Sequence, residues 1–326
     1  MVSSTASSVF AEYCFEADGD FGQGGSLNKP IQFGKEVKIT GLSYKNNQMP
    51  LGQLYSPEIE TFAYGKSEGK CSAEYVLSNP WFFKSVLGTP PAPVNSGGLY
   101  AYTWSSTPTS SNYMKNIHSM ALRLGFDIDA DYKRTALGVV CPSLSIKMAL
   151  NETIKVTQEL VWGSETVNQT MGTSQGEPLA GAIPYTFVHA SVTNPLTGST
   201  LATVQSIDLD IASNAELIYQ MGQSDSVDAY RKILELTGKI SLVLKSSAFL
   251  ESVYSRATTG HDLVITISNG GSGLALRSIV MTLTGCSFSS HNTNGIEPGE
   301  LLLEDVDFQC KTITVVAKNQ KTTFPA

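Results

Sequence analysis

A stretch of nineteen residues from Gly69 to Leu87 (GKCSAEYVLSNPWFFKSVL) returns, shortened, from Gly238 to Tyr254 (GKISLVLKSSAFLESVY). Gly69, Lys70 and Ser72 align with Gly238, Lys239 and Ser241. After a two-residue gap, Leu77, Phe82, Ser85 and Val86 align with Leu244, Phe249, Ser252 and Val253. The order of parts is the same in both copies, so the chain reads as one unit written twice. Gly69, Lys70, Phe82, Gly238, Lys239 and Phe249 are the anchors of that repeat.

Each copy reads as a strand running into a short helix. Cys71, Ala73, Tyr75 and Leu77 alternate with Ser72, Glu74 and Val76, and Ile240, Leu242 and Leu244 alternate with Ser241 and Val243. A period of two is that of a half-buried strand. Asn79 offers a side-chain oxygen to the free amides of a helix start, and Pro80 suits the first helical position, where its missing N–H costs nothing. Ser246 or Ser247 caps the second helix, and Gly88 ends the first. Trp81, Phe82, Phe83, Val86 and Leu87 then face one core, and Phe249, Leu250 and Val253 face another.

Residues 1–35, rich in Gly, Ser and Asp, read as an N-terminal arm. Gly22, Gly24 and Gly25 lack the preceding strand and following helix that a phosphate cradle needs. Glu36 to Tyr44 is a strand, Lys45-Asn46-Asn47 a polar turn, and 58–77 a hairpin leading into the anchor strand. Thr89 to Asn112, broken by Pro90, Pro91, Pro93, Gly97 and Gly98, reads as a long loop, and such loops are often interfacial. His118 to Asp131 is a strand with Asp127, Asp129 and Asp131 on one face. Three alternate acids resemble the start of a calcium loop, but Tyr132 stands where that loop needs Gly and Gly138 where it needs Glu. An acidic strand face is the better reading.

Ser143 to Leu150 and Thr153 to Trp162 complete the first unit as strands, and Gly163 to Pro184, with almost no apolar periodicity, is the boundary. Thr186 to Val192 and Ala202 to Ile211 follow as strands, the latter alternating Ile207, Leu209 and Ile211 with Asp208 and Asp210. Val227 to Leu236 is ambiguous between helix and strand, and its place before Gly238 favours strand. Cys141-Pro-Ser-Leu-Ser parallels Cys286-Ser-Phe-Ser-Ser, each followed by a last strand. In Leu301 to Cys310, Asp305 and Asp307 oppose Val306 and Phe308. The expectation is a mainly β chain of two tandem β-sandwich domains, each flanked by a short α-helix. Its divisions are an arm at 1–35, domains at 36–184 and 185–318, and a tail at 319–326.

Charged residues make up only 16% of the 326, against about 25% in a typical domain, so the surface is rich in Ser, Thr, Asn and Gly. A net charge of −7 argues against tight non-specific DNA binding, which needs clustered Lys and Arg. There is no apolar run long enough to span a bilayer, and the N-terminus lacks the basic start and apolar centre of a signal peptide. This points to cytosolic folding, without membrane insertion, in which the five cysteines remain buried free thiols. The four histidines are scattered without a metal-ligand spacing, and no nucleophile elbow, Walker loop or zinc-binding helix appears. Neither catalytic residue, metal nor cofactor is expected.

The strand-helix stretch, the segment YTWSSTPTSSNYMKNIHSMALRLGFDID, the strand pair VVCPSLSIKMALNETIKVTQELVW and the run VQSIDLDIASNAELIYQMG together resemble the tail tube proteins of tailed bacterial and archaeal viruses. The resemblance spans about residues 36 to 318. It implies a β-sandwich whose inner sheets join across subunits into a barrel around a lumen, and rings that stack into a tube conducting the genome. Family members with one unit form hexameric rings and those with two form trimers; the internal repeat puts this chain with the second kind. Ring-to-ring contacts would fall to residues 1–34, 89–112 and 319–326. Partners would be the chain itself and other tail proteins (terminator, baseplate, sheath), with DNA passing unbound and the product residing in the virion tail. An acidic wall repels phosphate, so Asp127, Asp129, Asp208, Asp210, Asp305 and Asp307 are candidate lumen-facing residues. The alternatives are a hub, terminator or tube of a contractile injection device, or a carbohydrate-binding sandwich using Trp81, Trp104 or Trp162 as a stacking platform.

Overall fold

The computed structural model describes residues 9–16, 21–22, 30–52, 59–107, 119–126, 133–167, 184–198, 200–201, 203–255, 261–269, 276–294 and 302–321. The first half contains β1 (Val9–Phe15), β2 (Ile31–Gln32), β3 (Lys35–Gly52), β4 (Ile59–Val76), α1 (Phe83–Leu87), β5 (Val94–Ser96), β6 (Leu99–Ser105), β7 (Met120–Phe126), β8 (Lys133–Ala149), β9 (Lys155–Trp162) and β10 (Ser164–Val167). The second contains β11 (Ala190–Thr193), β12 (Val204–Ala212), β13 (Glu216–Tyr219), β14 (Ser226–Tyr230), β15 (Glu235–Val243), α2 (Ala248–Tyr254), β16 (His261–Ser268), β17 (Ser278–Asn294), β18 (Leu303–Cys310) and β19 (Thr312–Asn319). The protein is mainly β, with antiparallel pairing throughout.

Two layers enclose the core. One is a continuous sheet in the order β3-β4-β9-β8-β12-β15-β18-β17. Over its apolar face lie two smaller sheets, β2-β1-β7-β8-β10 and β11-β16-β17-β19-β6-β5. β8 and β17 belong to both layers, each passing from one to the other at a bulge. At those bulges Gly138 and Gly285 take positive φ, 62° and 69°, which glycine adopts without a Cβ penalty.

The repeat anchors occupy matching places. Gly69 lies opposite Trp162 on β9, and Gly238 opposite Phe308 on β18. A Cβ on Gly69 would stand 2.1 Å from the Trp162 ring, and one on Gly238 would stand 2.4 Å from Phe308. In both halves, then, a glycine admits the aromatic ring of the adjoining strand. Phe82 and Phe249 are both buried beneath their helices, while Lys70 and Lys239 point the other way. The Asn79 side chain accepts a hydrogen bond from the Trp81 N–H at 3.2 Å, Ser247 stands at the N-cap of α2, and Gly88 ends α1 at φ 87°.

Several expectations fail for local reasons. The arm to residue 35 contains β1 and β2: Tyr13, Phe15, Ile31 and Phe33 are core residues, with the Tyr13 and Phe33 rings 4.8 Å apart. A short apolar run hidden between a Ser-rich and a Gly-rich flank pairs along all of β7. Asn46 and Asn47 do not turn the chain; β3 runs past them to Gly52 through bulges. Inside the supposed loop 89–112, Gly97 and Gly98, both at positive φ, turn β5 into β6, which completes the sheet beside β19. Residues 226–236 are strand, interrupted at 231–234.

The cysteine expectation is corrected as well. Cys286 and Cys310 form a disulfide, because β17 and β18 set them face to face one rung beyond Ser287 and Gln309. Nor is Cys141 the counterpart of Cys286. The glycine bulge puts Val139 there, since Met120 opposes Val139 as His261 opposes Cys286. Cys14, Cys71 and Cys141 are buried free thiols, each pushed by burial up to about 12. At about pH 8 they stay protonated, and only the thiolate attacks. A thiol reagent at that pH will therefore leave all three unmodified in the native protein and modify them on denaturation, as intact mass will show. Replacing Gly69 or Gly238 by Ala will cost about 1–3 kcal/mol by overpacking, read as a lowered urea midpoint at unchanged slope.

Candidate assembly interface and lumen face

The continuous sheet has a buried face and a polar one. Ile207, Leu209 and Ile211 of β12 are buried, so Ser206, Asp208 and Asp210 lie on the opposite face. Val306 and Phe308 are likewise buried, which puts Asp305 and Asp307 on that same face across β15. The structure thus brings together four of the six acids singled out from the sequence. Asp127 and Asp129 lie outside the described residues, as does Asp131.

Lys239 is set between two acids, and Lys147 and Lys155 lie side by side at one end of the row. Reading across the strands, Lys155, Lys147, Asp208, Lys239, Asp307 and Ser290 follow one another. The next row runs Thr157, Ser145, Asp210, Thr237 and Gln309. Lys239 Nζ lies 2.8 Å from Asp305, which also accepts hydrogen bonds from Ser241 and Asn294. Burial pushes Asp305 up, but the bonds from Lys239 and Ser241 and the Lys239 charge outweigh it, leaving the carboxyl below its ordinary value. The interleaving was not legible in the sequence, because it depends on which strands become neighbours.

The second feature is a pair of strand edges. Within the chain, β8 of the first half pairs with β12 of the second over seven residue pairs, from Ser143↔Ala212 to Ala149↔Ser206. Among the described residues, β3 at one end of the sheet and the β17 segment 287–294 at the other each have a neighbour on one side only. Both are therefore open edges with unpaired backbone groups.

A family model described as phage tail tube protein matches residues 58–310. The chain belongs to the phage tail tube protein family. A search of curated protein sequences finds no match. A tail tube protein is a structural component of the virion tail, and the open edges and polar sheet face of this one are the surfaces that bear on such a role. No helix among the described residues is long and apolar enough to cross a membrane.

Trp81, Trp104 and Trp162 are at most 2% exposed in this tail tube protein. None is available as a sugar-stacking platform, and Trp104, expected in a loop, sits on β6 within the sheet. Of the segments expected to make ring contacts, Val9–Phe15 and Leu99–Ser105 are committed to sheets inside the subunit.

The lowered Asp305 gives a test with a definite sign. Its stabilisation is present above the ordinary carboxylate range and is lost as pH falls through the lowered value. Lys239→Gln will shrink that acid-limb loss. At neutral pH the variant will cost less than about 1 kcal/mol, because the Lys239 side chain is 44% exposed and screened. Urea titrations between neutral and acid pH will check both.

Proposed function

We propose that the protein is the major tail tube subunit, with no catalytic role, and that three copies join head to tail into rings that stack as a hollow tube conducting DNA. In this reading β1 and β2 belong to the first tube unit, which runs to residue 184, the second unit is 185–318, and a tail follows at 319–326. The polar sheet face lines the lumen. Assembly takes place in the host cytoplasm, with other tail proteins at the tube ends and DNA passing without specific binding.

The observation that carries this reading is the β8–β12 seam. Strand order recurs as β3-β4-β9-β8 and β12-β15-β18-β17, so β12 holds the place in the second half that β3 holds in the first. β17 likewise holds the place of β8. The seam inside one chain is then a template for the seam between chains: β17 of one copy receives β3 of the next. A ring abolishes both open edges, which a solitary chain leaves exposed.

The template also fixes a register. Gly69 and Gly238 align Lys45 with Asp210, since these oppose Glu68 and Thr237. Trp162 and Phe308 align Ser145 with Asn294, since these oppose Thr157 and Leu303. Ser145 pairs with Asp210 within the chain, so Asn294 should face Lys45 of the neighbouring copy. Residues directly opposite have Cβ atoms about 5 Å apart, close enough to bridge. Electron microscopy of the purified chain should show rings or tubes with a central channel. The double variant Lys45→Cys/Asn294→Cys should form disulfide-linked dimers and trimers that neither single variant forms. Isolated globules with no channel would reject the reading.

A further inference from the structure

We infer that the outer half of the β3–β4 ribbon docks on α2 and the end of β18 of the next copy in the ring, in the position that β13–β14 takes on the first half of its own chain. This rests on the ring reading above and goes beyond it, because edge pairing alone gives the ribbon no contact.

The two ribbons are topological counterparts: one connects β3 to β4, the other β12 to β15. The β13–β14 ribbon folds back onto the first half. There Tyr219 Oη donates to the Ser67 carbonyl at 2.7 Å, and the Ser67 N–H donates to the Ser224 carbonyl at 2.8 Å. Ser226 sits on Gly163, where a Cβ would stand 2.4 Å from its hydroxyl. Arg231, 5% exposed, reaches the carbonyl of Val86 at the end of α1.

The register used above carries this surface into the second half. Ser67 corresponds to Leu236, Gly163 to Gln309, and Val86 to Val253 at the end of α2. Leu236 is already buried and paired with Cys310 of β18, so the bond that Ser67 makes to Ser224 is not repeated there, but among the described residues no ribbon covers Gln309, which is exposed, or Tyr254, next to Val253, which is 78% exposed. Beyond Lys66 and Ser67, which meet Tyr219, the described part of the β3–β4 ribbon is largely exposed. Tyr64 and Phe62 on one of its faces are 70% and 51% exposed, and Met49 and Leu51 on the other are 54% and 49% exposed.

A lone two-stranded ribbon is marginal in water, and the exposed pair Phe62 and Tyr64 on one face is an apolar surface that a protein contact would cover. A second copy is the fitting occupant, because the chain already displays the same docking between its own halves. Phe62 stands seven residues before Gly69, as Arg231 stands seven before Gly238, so it should approach the neighbour's α2. There an apolar ring would meet Tyr254.

The test places the photo-crosslinking amino acid p-benzoylphenylalanine at Phe62 or Tyr64 in assembled full-length protein, mixing isotopically heavy and light chains. Mixed-label adducts to the peptide carrying Ala248–Tyr254 or to residues 309–311 are expected. Tyr64→Asp should fold with an unchanged melting temperature yet lower assembled material by about tenfold. Adducts confined to the ribbon's own chain or to the neighbour's first half, in preparations that do contain rings, would overturn this docking and leave the ring reading standing. A chain that stays monomeric throughout would sink both.

Discussion

Unpaired strand edges set the terms for this molecule. Every strand residue except proline carries a backbone donor and an acceptor, and a sheet that ends in solvent leaves one row of them open to any passing strand. The continuous sheet meets that demand once inside the chain, where β8 and β12 pair over seven positions. The covering layer meets it in the same place by another route, lending β6 from the first half to close the edge of β19 over six pairs. The two halves are thus tied in both layers, and among the described residues the continuous sheet keeps one open edge at each end.

The halves keep a common backbone while differing inside. Each seats an aromatic ring over a glycine and changes layer at a glycine bulge. Beneath these shared features, Gln158 and Glu304 stand at corresponding places on β9 and β18, both buried. Gln158 accepts from Tyr75 Oη at 2.8 Å and donates to Ser85 Oγ at 3.1 Å, a neutral and satisfied amide. Glu304 instead lies 2.8 Å from His291. Both are buried polar groups that depend on their partners, so removing His291 would strand Glu304 as removing Tyr75 or Ser85 would strand Gln158. The disulfide at Cys286 and Cys310 adds a further tie to the second half alone.

What the sequence disclosed follows from what is local. Glycine, proline and Asn79 mark where strand gives way to helix, and period-two alternation assigns Asp208, Asp210, Asp305 and Asp307 to one face, because both signals act within a few residues. β1 was missed because Glu12 interrupts its apolar run and its partner β7 is more than a hundred residues away. The hairpin β5–β6 was missed because flanking prolines hide a Gly-Gly turn. The Cys286–Cys310 bridge and the lysines beside the acids depend on register between strands, which no single stretch of chain encodes. The seam was beyond reach for the same reason: nothing in Ser143 to Ala149 says that Ala212 to Ser206 will lie alongside.

The arrangement of charge on the polar face bears on how a tube wall could pass a polyanion. Asp208 stands between Lys147 and Lys239, and Lys239 between Asp208 and Asp307. Opposite charges at neighbouring strand spacing, about 5 Å, cancel one another beyond a Debye length of about 8 Å at physiological salt. Lysines alone would hold phosphates by displacing their counterions, and acids alone would crowd like charges around a closed ring, which works against closure. Setting Lys147 and Lys239 beside carboxylates reduces their free charge for the phosphates, while Lys155 lies beside Lys147 and Asp210 is flanked by Ser145 and Thr237. On the proposed reading, the wall would neither grip DNA nor resist its own assembly, and that balance is a property of the strand register more than of the acidic composition.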